Sequence, residues 1–218
     1  MEKKENREIY LPYRCVLEGG TGEIAEKKSR FLATVRKVEK EEEAAAFIEE
    51  IKKTYWDASH NCSAFVIGRK AELTRCSDDG EPSGTAGRPM LEVLLGEGIC
   101  NTAVVVTRYF GGTLLGTGGL VRAYGAAVKA GLEGSRVVTM RYGTRLRIGT
   151  DYSDIGRIQY LLGQQGLPRE NAVYTERVVL ETVVAAEGEE RLIKELTEAT
   201  GGRAVLEAVG RYYFIDKE

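Results

Sequence analysis

The chain has 218 residues, of which 43% are apolar and 29% charged, with a formal net charge of −2. This balance is typical of one large or two small globular domains, and it excludes an intrinsically disordered chain. No run approaches the roughly 18 apolar residues that a membrane-spanning helix needs. Residues 1–8 lack the apolar core of a secretory signal and are expected to be a solvated leader. We therefore expect a cytoplasmic protein that has no membrane partner.

Residues 1–138 are predicted to form a first α+β domain. Apolar residues at three- and four-residue spacing indicate a helix at 40–55, and the run at 103–106 lacks alternation, as in a strand buried on both faces. In chain order the predicted elements are strands 13–17 and 30–35 joined through 19–22, helix 40–55, strands 63–67 and 72–76, a short helix from 89, strand 103–106 and a helix through 120–132.

The pattern restarts near residue 140, and residues 139–218 are predicted to form a second α+β domain. Its first strand is expected at 144–148, and Ser153 is predicted to N-cap the helix that follows. The later elements are strands 172–174 and 178–185, helix 189–200 and strand 204–215. The resulting order, β-α-β-β-α-β, is the ferredoxin-like arrangement.

Charge is distributed unevenly along the chain. Residues 101–150 carry seven basic side chains and one acidic one, whereas the segments on both sides are net acidic. A basic block in an acidic protein suggests a local anionic partner such as phosphate or RNA. The alternative is that its arginines face solvent and pair with acidic neighbours. Counting charges does not decide between the two.

The first segment rich in functional groups is 76–89, which combines carboxylates, hydroxyls and glycines. Glycine lets the backbone approach a ligand, and Ser and Thr can donate hydrogen bonds beside it. The alternative is a long turn in which Asp and Ser bond their own backbone. We favour a binding role, because loops on rigid scaffolds often carry sites. The candidate residues are Asp78, Asp79, Glu81, Ser83, Thr85 and Arg88.

The second such segment, 107–124, runs from the buried strand through a glycine-rich loop into a helix. This order can present free backbone N–H groups to an anion, with arginines adding charge and tyrosines stacking on a base. The segment completes neither a Walker A motif nor a dinucleotide fingerprint, and its glycines could instead permit close packing. We favour anion binding. The candidate residues are Arg108, Tyr109, Gly111, Gly112, Gly116, Gly118, Gly119, Arg122 and Tyr124.

His60 is the only histidine of the chain. As a general base it would need a nucleophile, for which Cys62 or Ser83 can be nominated, and an orienting carboxylate. We favour a polar or nucleic-acid contact for His60, since sequence alone gives no geometry. His60 and Cys62 with the distant Cys76 match no standard zinc spacing, so we expect no metal and no cofactor.

These segments resemble the motifs of a known family. The run Val-Val-Thr-Arg-Tyr-Phe-Gly-Gly-Thr-Leu-Leu-Gly at 105–116 resembles the signature of the IMPACT/YigZ family, and 27–31, 59–62 and 78–87 are similar to its other motifs. The resemblance implies a first domain like the second domain of a small-subunit ribosomal protein, a fold also found in elongation factor G. It implies a ferredoxin-like second domain.

Eukaryotic relatives in that family act in translational control through an additional N-terminal domain. The resemblance therefore implies a link to RNA, to the ribosome or to a protein partner of the translation machinery. Our first hypothesis is a translation-associated regulator that binds RNA or ribosomes through the basic, glycine-rich surface.

The second hypothesis is a small-molecule phosphate or nucleotide binder, or an enzyme of unknown reaction, in which Asp78, Asp79 or Glu81 holds magnesium. The third is a protein-interaction module. We favour binding over catalysis, because the sequence contains no complete catalytic motif.

Overall fold

The computed structural model describes residues 10–216, which divide into two compact units. The N-terminal unit comprises Tyr13–Thr139, and the C-terminal unit comprises the described residues from Met140 onward together with residues 10–12. The sequence pattern instead predicts that residues 10–12 belong to the first domain. They join the second unit because the Tyr10 ring stacks on Tyr142 with centroids 4.0 Å apart.

The leader expected at residues 1–8 lies outside the described residues. Within residues 10–216, no helix is both long and apolar enough to cross a membrane.

The N-terminal unit has mixed α+β structure. Its elements are β1 (Tyr13–Glu18), β2 (Thr21–Glu26), β3 (Ser29–Lys37), α1 (Glu41–Thr54), β4 (His60–Ile67), β5 (Leu73–Ser77), α2 (Gly87–Gly96), β6 (Ile99–Cys100), β7 (Thr102–Tyr109) and α3 (Thr117–Glu133). Strand β8 (Arg136–Thr150) begins in this unit and continues into the next. Five strands form an antiparallel sheet in the order β2-β3-β7-β4-β5.

The central strand β7 is buried on both faces of this sheet, which confirms the reading of 103–106. Val104 and Val106 pack in the core beneath α2 and α3, whereas Ala103 and Val105 pack in the core beneath α1. The apolar run without alternation thus reflects two cores that share one strand. The strand ends at Tyr109, where the glycine-rich loop begins.

The first predicted strand pair is wrong. Strand β3 pairs with β2, whereas β1 pairs in parallel with β6. Strand β2 went unrecognised because the segment 21–26 holds one large apolar residue, Ile24. It is an edge strand held against α3, where Gly22 lies so close to the Ala130 backbone that a Cβ atom would come within 2.2 Å.

The C-terminal unit follows the predicted element order. Its elements after β8 are α4 (Ile155–Gln164), β9 (Glu170–Tyr174), β10 (Val178–Ala185), α5 (Glu189–Ala199) and β11 (Val205–Ile215). The strands form an antiparallel sheet in the order β11-β8-β10-β9. One core joins α4 and α5 to the same face of the sheet, through residues such as Leu146, Ile158 and Leu192.

The predicted N-cap of the first helix in this unit is wrong. Asp154, not Ser153, occupies the N-cap position of α4, and no side chain in the described part of the chain makes a cap hydrogen bond there. The Asp154 carboxylate instead accepts hydrogen bonds from Arg203 at 2.7 and 2.9 Å. A long-range ion pair, which the local sequence does not reveal, therefore fixes this helix start.

Candidate functional site

The two segments singled out from sequence meet in the N-terminal unit. The end of β7, the 78–87 loop and the start of α3 surround a cavity of about 430 Å³. His60 on β4 and Glu81 line it, as do Gly116 and Thr117 at the start of α3. Its lining residues are His60, Gly80, Glu81, Pro82, Arg108, Phe110, Leu114, Leu115, Gly116, Thr117 and Leu120.

A buried ion pair forms part of the wall of this cavity. Arg108 is 5% exposed and donates through Nη1 to Glu81 Oε1 at 2.6 Å. Its guanidinium lies 5.4 Å from the Phe31 ring centroid and 5.5 Å from that of Phe110. The charge that was expected to meet an external anion is therefore already matched by Glu81. Both charges persist in the interior because each has its partner.

Tyr124 is fully buried and extends this network. Its hydroxyl donates to Glu81 Oε1 at 2.7 Å, and its ring meets Phe31 edge-on with centroids 5.2 Å apart. Cys62 Sγ lies 3.3 Å from the Tyr124 hydroxyl and 2.9 Å from the Asp78 carbonyl oxygen. Tyr124 therefore supports the core of the unit and has no exposed face on which a base could stack.

Burial determines the chemistry of the Cys62 thiol. It raises the pKa of Cys62 to about 12, and the negative charges of Glu81 and Asp79 act in the same direction. Burial likewise raises the pKa of the Tyr124 hydroxyl. A thiol in this state has almost no thiolate near neutral pH. Cys62 is therefore unsuited to the nucleophile role that could be nominated from sequence.

His60 presents one ring nitrogen to the cavity. Its Nδ1 lies 2.8 Å from the Asp79 carbonyl oxygen. A carbonyl oxygen can only accept, so Nδ1 carries the proton of that bond. In the neutral ring Nε2 is then the acceptor, and it lies 3.9 Å from Glu81 Oε2. His60 thus offers the cavity a nitrogen that can accept a hydrogen bond.

Asp78 organises the 78–87 loop from within. Its carboxylate accepts backbone hydrogen bonds from Gly84 at 2.8 Å, Ala86 at 3.0 Å and Gly87 at 2.8 Å. Burial opposes ionisation, but these three donors outweigh it and hold the pKa of Asp78 below its usual value. Asp78 therefore stabilises the conformation of the loop that leads into α2.

The other candidate residues of this loop either hydrogen-bond within the protein or lie outside the cavity. Asp79 accepts from Lys52 Nζ at 2.8 Å and from the Asn61 N–H at 2.7 Å. Buried Thr85 donates to the Pro82 carbonyl oxygen at 2.6 Å. Exposed Ser83 and Arg88 do not line the cavity, and Arg88 pairs with Glu92.

The glycines of the second segment serve its backbone geometry. A Cβ atom on Gly111 would come within 2.1 Å of the Lys28 carbonyl carbon. Gly112 and Gly116 have φ of +81° and +73°, which L side chains rarely adopt. Gly119 packs against Leu115, whereas a Cβ on Gly118 would find open space apart from the tip of Arg122.

The start of α3 offers unbonded backbone groups. The N–H groups of a first helical turn have no partner within the helix. Gly116 occupies the N-cap position, and among the described residues no side chain makes a cap hydrogen bond there. Thr117 lines the cavity, so this positive helix end lies at its wall. The geometry expected for anion binding is present, although Arg108 does not supply its charge directly.

Two further candidates lie away from the cavity. Arg122 lines a separate groove of about 590 Å³ between α2 and α3, together with Glu92 and Lys129. The Tyr109 hydroxyl donates to Asp57 Oδ1 at 3.0 Å. The structure therefore does not place Arg122 or Tyr109 with His60 and Thr117.

The basic block at 101–150 is mostly neutralised by acidic partners. Five of its seven basic side chains form ion pairs within their own unit. Arg108 is buried, and the other four face solvent, as the alternative predicts. The pairs are Arg108–Glu81, Arg136–Glu18, Arg141–Asp216, Arg145–Glu170 and Arg147–Glu181. The excess positive charge in the sequence is therefore not one continuous basic surface.

Sequence reasoning missed a set of exposed residues near the glycine-rich loop. Trp56 is 82% exposed, Phe110 48% and Leu114 83%. Lys27 and Lys28 are also exposed, at the turn between β2 and β3. Lys27 and Lys28 belong to the 27–31 motif, and Phe110 and Leu114 belong to the 105–116 motif. The sequence could not show that these side chains face outward, because the turns and loops that carry them have no regular alternation of apolar and polar residues.

The described part of the chain contains no group of three or more His, Cys, Asp or Glu side chains arranged to hold a metal ion. The oxygens of Asp78, Asp79 and Glu81 already accept hydrogen bonds from protein donors. A cation at these carboxylates would have to displace those donors.

Comparison with known proteins identifies both parts of the chain. Residues 27–132 match the description "Impact N-terminal domain", and residues 148–203 match "Domain of unknown function (DUF1949)". A relative named IMPACT family member YvyE, from Bacillus subtilis (strain 168), is 42% identical over 94% of this chain and 94% of its own length. IMPACT family member YigZ from Escherichia coli (strain K12) is 37% identical over 84% and 91%.

A crystal structure described as that of a hypothetical protein has 34% identity and a TM-score of 0.57, and it covers 91% of this chain and 98% of its own. The extent and identity of these matches agree with the motifs at 105–116 and 78–87. The chain belongs to the IMPACT family.

Proposed function

We propose that this protein is a translation-associated regulator that binds single-stranded RNA, alone or within the ribosome, through one face of its N-terminal unit. The glycine-loop surface, as we name this face, consists of Lys27, Lys28, Trp56, Phe110 and Leu114. Membership of the IMPACT family supports the link to translation. The proposed role is binding, without a catalysed reaction.

The observation that carries the proposal is the contact between the β2–β3 turn and the glycine-rich loop. Gly111 lies against the Lys28 backbone, and its N–H donates to Ser29 Oγ at 3.1 Å. The neighbouring Phe110 N–H donates to Ser59 Oγ at 3.2 Å. These bonds hold the two-lysine turn and the turn after α1 beside the loop, so exposed cations and apolar side chains share one region.

These residue types fit an RNA strand. Lysines neutralise phosphates, and exposed aromatic rings stack on unpaired bases regardless of sequence. The open start of α3, in the adjoining cavity, supplies backbone N–H donors for one phosphate. The surface thus combines the backbone and base contacts that single-strand binding requires.

The test is RNA and ribosome co-sedimentation over a salt series with the Lys27→Gln/Lys28→Gln variant. We expect affinity to fall about tenfold and the salt dependence to weaken by roughly 1.4 in logarithmic slope, since two phosphate contacts are lost from a single strand. The matched control is Lys40→Gln/Lys53→Gln, which removes the same charge from exposed positions of the unit. Equal binding by the two variants would place the site elsewhere.

A small-molecule phosphate or nucleotide binder is the second candidate function. The cavity of about 430 Å³ supports it, because the start of α3 lines it and offers N–H donors to a phosphate. Magnesium at Asp78, Asp79 or Glu81 is not part of this candidate, since those carboxylates already have donors. Thermal-shift measurements with nucleotides, with and without magnesium, test it. Stabilisation by a nucleotide that RNA does not displace would favour it.

We further infer a ferredoxin-like fold for the C-terminal unit. Its element order and the antiparallel strand order β11-β8-β10-β9, with both helices on one face, support that assignment. The likeness of the N-terminal unit to a ribosomal-protein and elongation-factor-G domain and a cytoplasmic location belong to the same proposal. So do the domain limits 1–138 and 139–218, except that residues 10–12 group with the C-terminal unit. A protein partner of the translation machinery would bind alongside RNA.

A further inference from the structure

The sheet face opposite α4 and α5 carries a cavity that the proposed function does not use. Side chains alternate along β8, so Leu146 and Ile148 enter the core while Arg141 and Arg145 face the other way. A cavity of about 470 Å³ lies on this second face, entirely within the C-terminal unit. Its chemically distinctive lining residues are Arg141, Arg145, Glu170, Tyr212, Phe214 and Asp216.

Part of the cavity wall is flat and apolar. A Cβ atom on Gly143 would come within 2.5 Å of Phe214 Cε1, so the absence of a side chain lets that ring lie against the sheet. Val183, which also lines the cavity, is 4% exposed. Tyr212 lies beside them, with the Arg145 guanidinium 5.2 Å from its ring centroid. An aromatic or large aliphatic group would find a matching surface here.

The polar part of the wall holds two loose ion pairs. Arg145 Nη2 lies 3.5 Å from Glu170 Oε2, and Arg141 Nε lies 3.4 Å from Asp216 Oδ2. Both distances exceed the 2.7–3.2 Å typical of N–H···O hydrogen bonds. Within residues 10–216, Arg141 Nε is buried and has no hydrogen-bond partner. The cavity therefore contains guanidinium donors and carboxylate acceptors whose hydrogen-bonding capacity is incompletely used.

The signs of these charges limit the ligand. Two arginines and two carboxylates sum to zero, so a multiply charged phosphate would meet Glu170 and Asp216 without a net positive field to offset them. A ligand that carries one acidic and one basic group can pair with both kinds of side chain. The volume lies within the range of small-molecule pockets.

We propose that this cavity binds a small zwitterion with an aromatic body, of which an aromatic amino acid is the type. The ligand carboxylate bonds to Arg141 or Arg145, its ammonium group bonds to Glu170 or Asp216, and its ring packs against Phe214 and Val183. The N-terminal unit contributes none of these residues, so the site goes beyond the proposed RNA function.

The test is calorimetric titration of the full chain with three compounds. L-phenylalanine carries both charges, 3-phenylpropionate lacks the ammonium group, and phenethylamine lacks the carboxylate. We expect L-phenylalanine to bind and each truncated compound to bind about tenfold more weakly, because each loses one charge-assisted contact. Absence of L-phenylalanine binding, or equal or tighter binding of a truncated compound, overturns the proposal.

Variants locate the site. Arg145→Met should weaken L-phenylalanine binding about tenfold, whereas Arg191→Met, which removes an exposed arginine of α5 paired with Glu195, should leave it unchanged. If Arg145→Met fails to fold, Glu170→Gln tests the same site and should narrow the preference for L-phenylalanine over 3-phenylpropionate. Equal binding by the site variant and the control overturns the assignment.

The Lys27→Gln/Lys28→Gln variant separates the two proposals, since it should lose RNA affinity and keep L-phenylalanine affinity. Loss of both affinities in that variant would mean that the ligand does not occupy the C-terminal cavity, and would overturn this inference.

Discussion

The 78–87 loop and the loop that follows β7 border the same cavity, yet they use their polar groups in opposite ways. In the first loop, Asp78 accepts three backbone N–H donors of its own segment, and Asp79 is held by Lys52 and Asn61. In the second, no side chain of residues 10–216 caps the start of α3, and Phe110 and Leu114 are exposed. The carboxylates of the first loop already have hydrogen-bond donors within the protein, whereas the backbone groups at the start of α3 and the exposed apolar side chains of the second can contact a partner.

The difference shows that a high density of polar residues does not identify a binding loop. A carboxylate surrounded by backbone donors determines the path of its own chain and has little capacity left for a ligand. A glycine-rich turn that leaves helix N–H groups and apolar side chains uncovered has that capacity. The Glu81–Arg108 pair lies between the two loops, and its removal should have the largest effect.

Glu81→Ala should lower the free energy of unfolding by about 3–5 kcal/mol, because it leaves the buried Arg108 charge without its carboxylate and the Tyr124 hydroxyl without its acceptor. Urea unfolding followed by circular dichroism measures this change. Replacing both members with Met should restore much of the loss, since no buried charge then remains unpaired. A single variant as stable as the wild type would mean that Glu81 is a solvated ligand group and not part of the core.

Asp78→Ala should cost about 2 kcal/mol near neutral pH, since it removes the acceptor of three backbone N–H groups in a partly buried loop. The pKa of Asp78 is lower in the folded protein than its ordinary value of 3.8. Its stabilisation is therefore complete above that value and is lost as the pH falls through the lower folded pKa.

The wild type and this variant should accordingly differ less near pH 3 than at neutral pH, as measured by urea unfolding at both. Ser83→Ala is the matched control, because Ser83 is an exposed residue of the same loop. A pH-independent difference between Asp78→Ala and the wild type would show that the carboxylate charge does not support the loop.

The features that could be predicted from the sequence are those that depend on contacts between residues close together in the chain. Apolar spacing predicted α1, and the unbroken apolar run predicted the doubly buried strand β7, because both patterns report burial of neighbouring residues. Strand β2 was missed because its position depends on backbone contact with α3. Arg108 was expected to face an anion because its partner Glu81, 27 residues away, is not visible as such in the sequence.

The same limit applies to the candidate site. The motif segments border the cavity. Thr117, which was not a candidate, lines it together with the candidate residues His60, Glu81, Arg108 and Gly116. The motifs did not separate outward loop residues such as Leu114, 83% exposed, from inward ones such as its neighbour Leu115, which is buried. That separation depends on the twist and packing of the whole unit, because within a loop neither a two-residue nor a 3.6-residue period applies.

The smallest expected changes in the free energy of unfolding come from substituting the glycines of the second loop. These substitutions distinguish a glycine that the fold requires from one that a partner requires. Gly111→Ala should lower the free energy of unfolding by roughly 1–3 kcal/mol, because the added Cβ meets rigid backbone at Lys28. Gly118→Ala, within α3 and facing open space, should raise it by about 0.5–1 kcal/mol through helix propensity. Thermal and urea unfolding of both variants measure the pair.

Both substitutions add one methyl group to the same glycine-rich segment, so a difference in sign between them reports the local environment alone. If Gly118→Ala is stable yet loses RNA affinity, the glycine at that position is needed for a partner to approach the open end of α3. If it keeps full affinity, the phosphate lies toward Thr117 and His60. Equal destabilisation by the two substitutions would contradict the close approach of Gly111 to the β2–β3 turn, on which the glycine-loop surface depends.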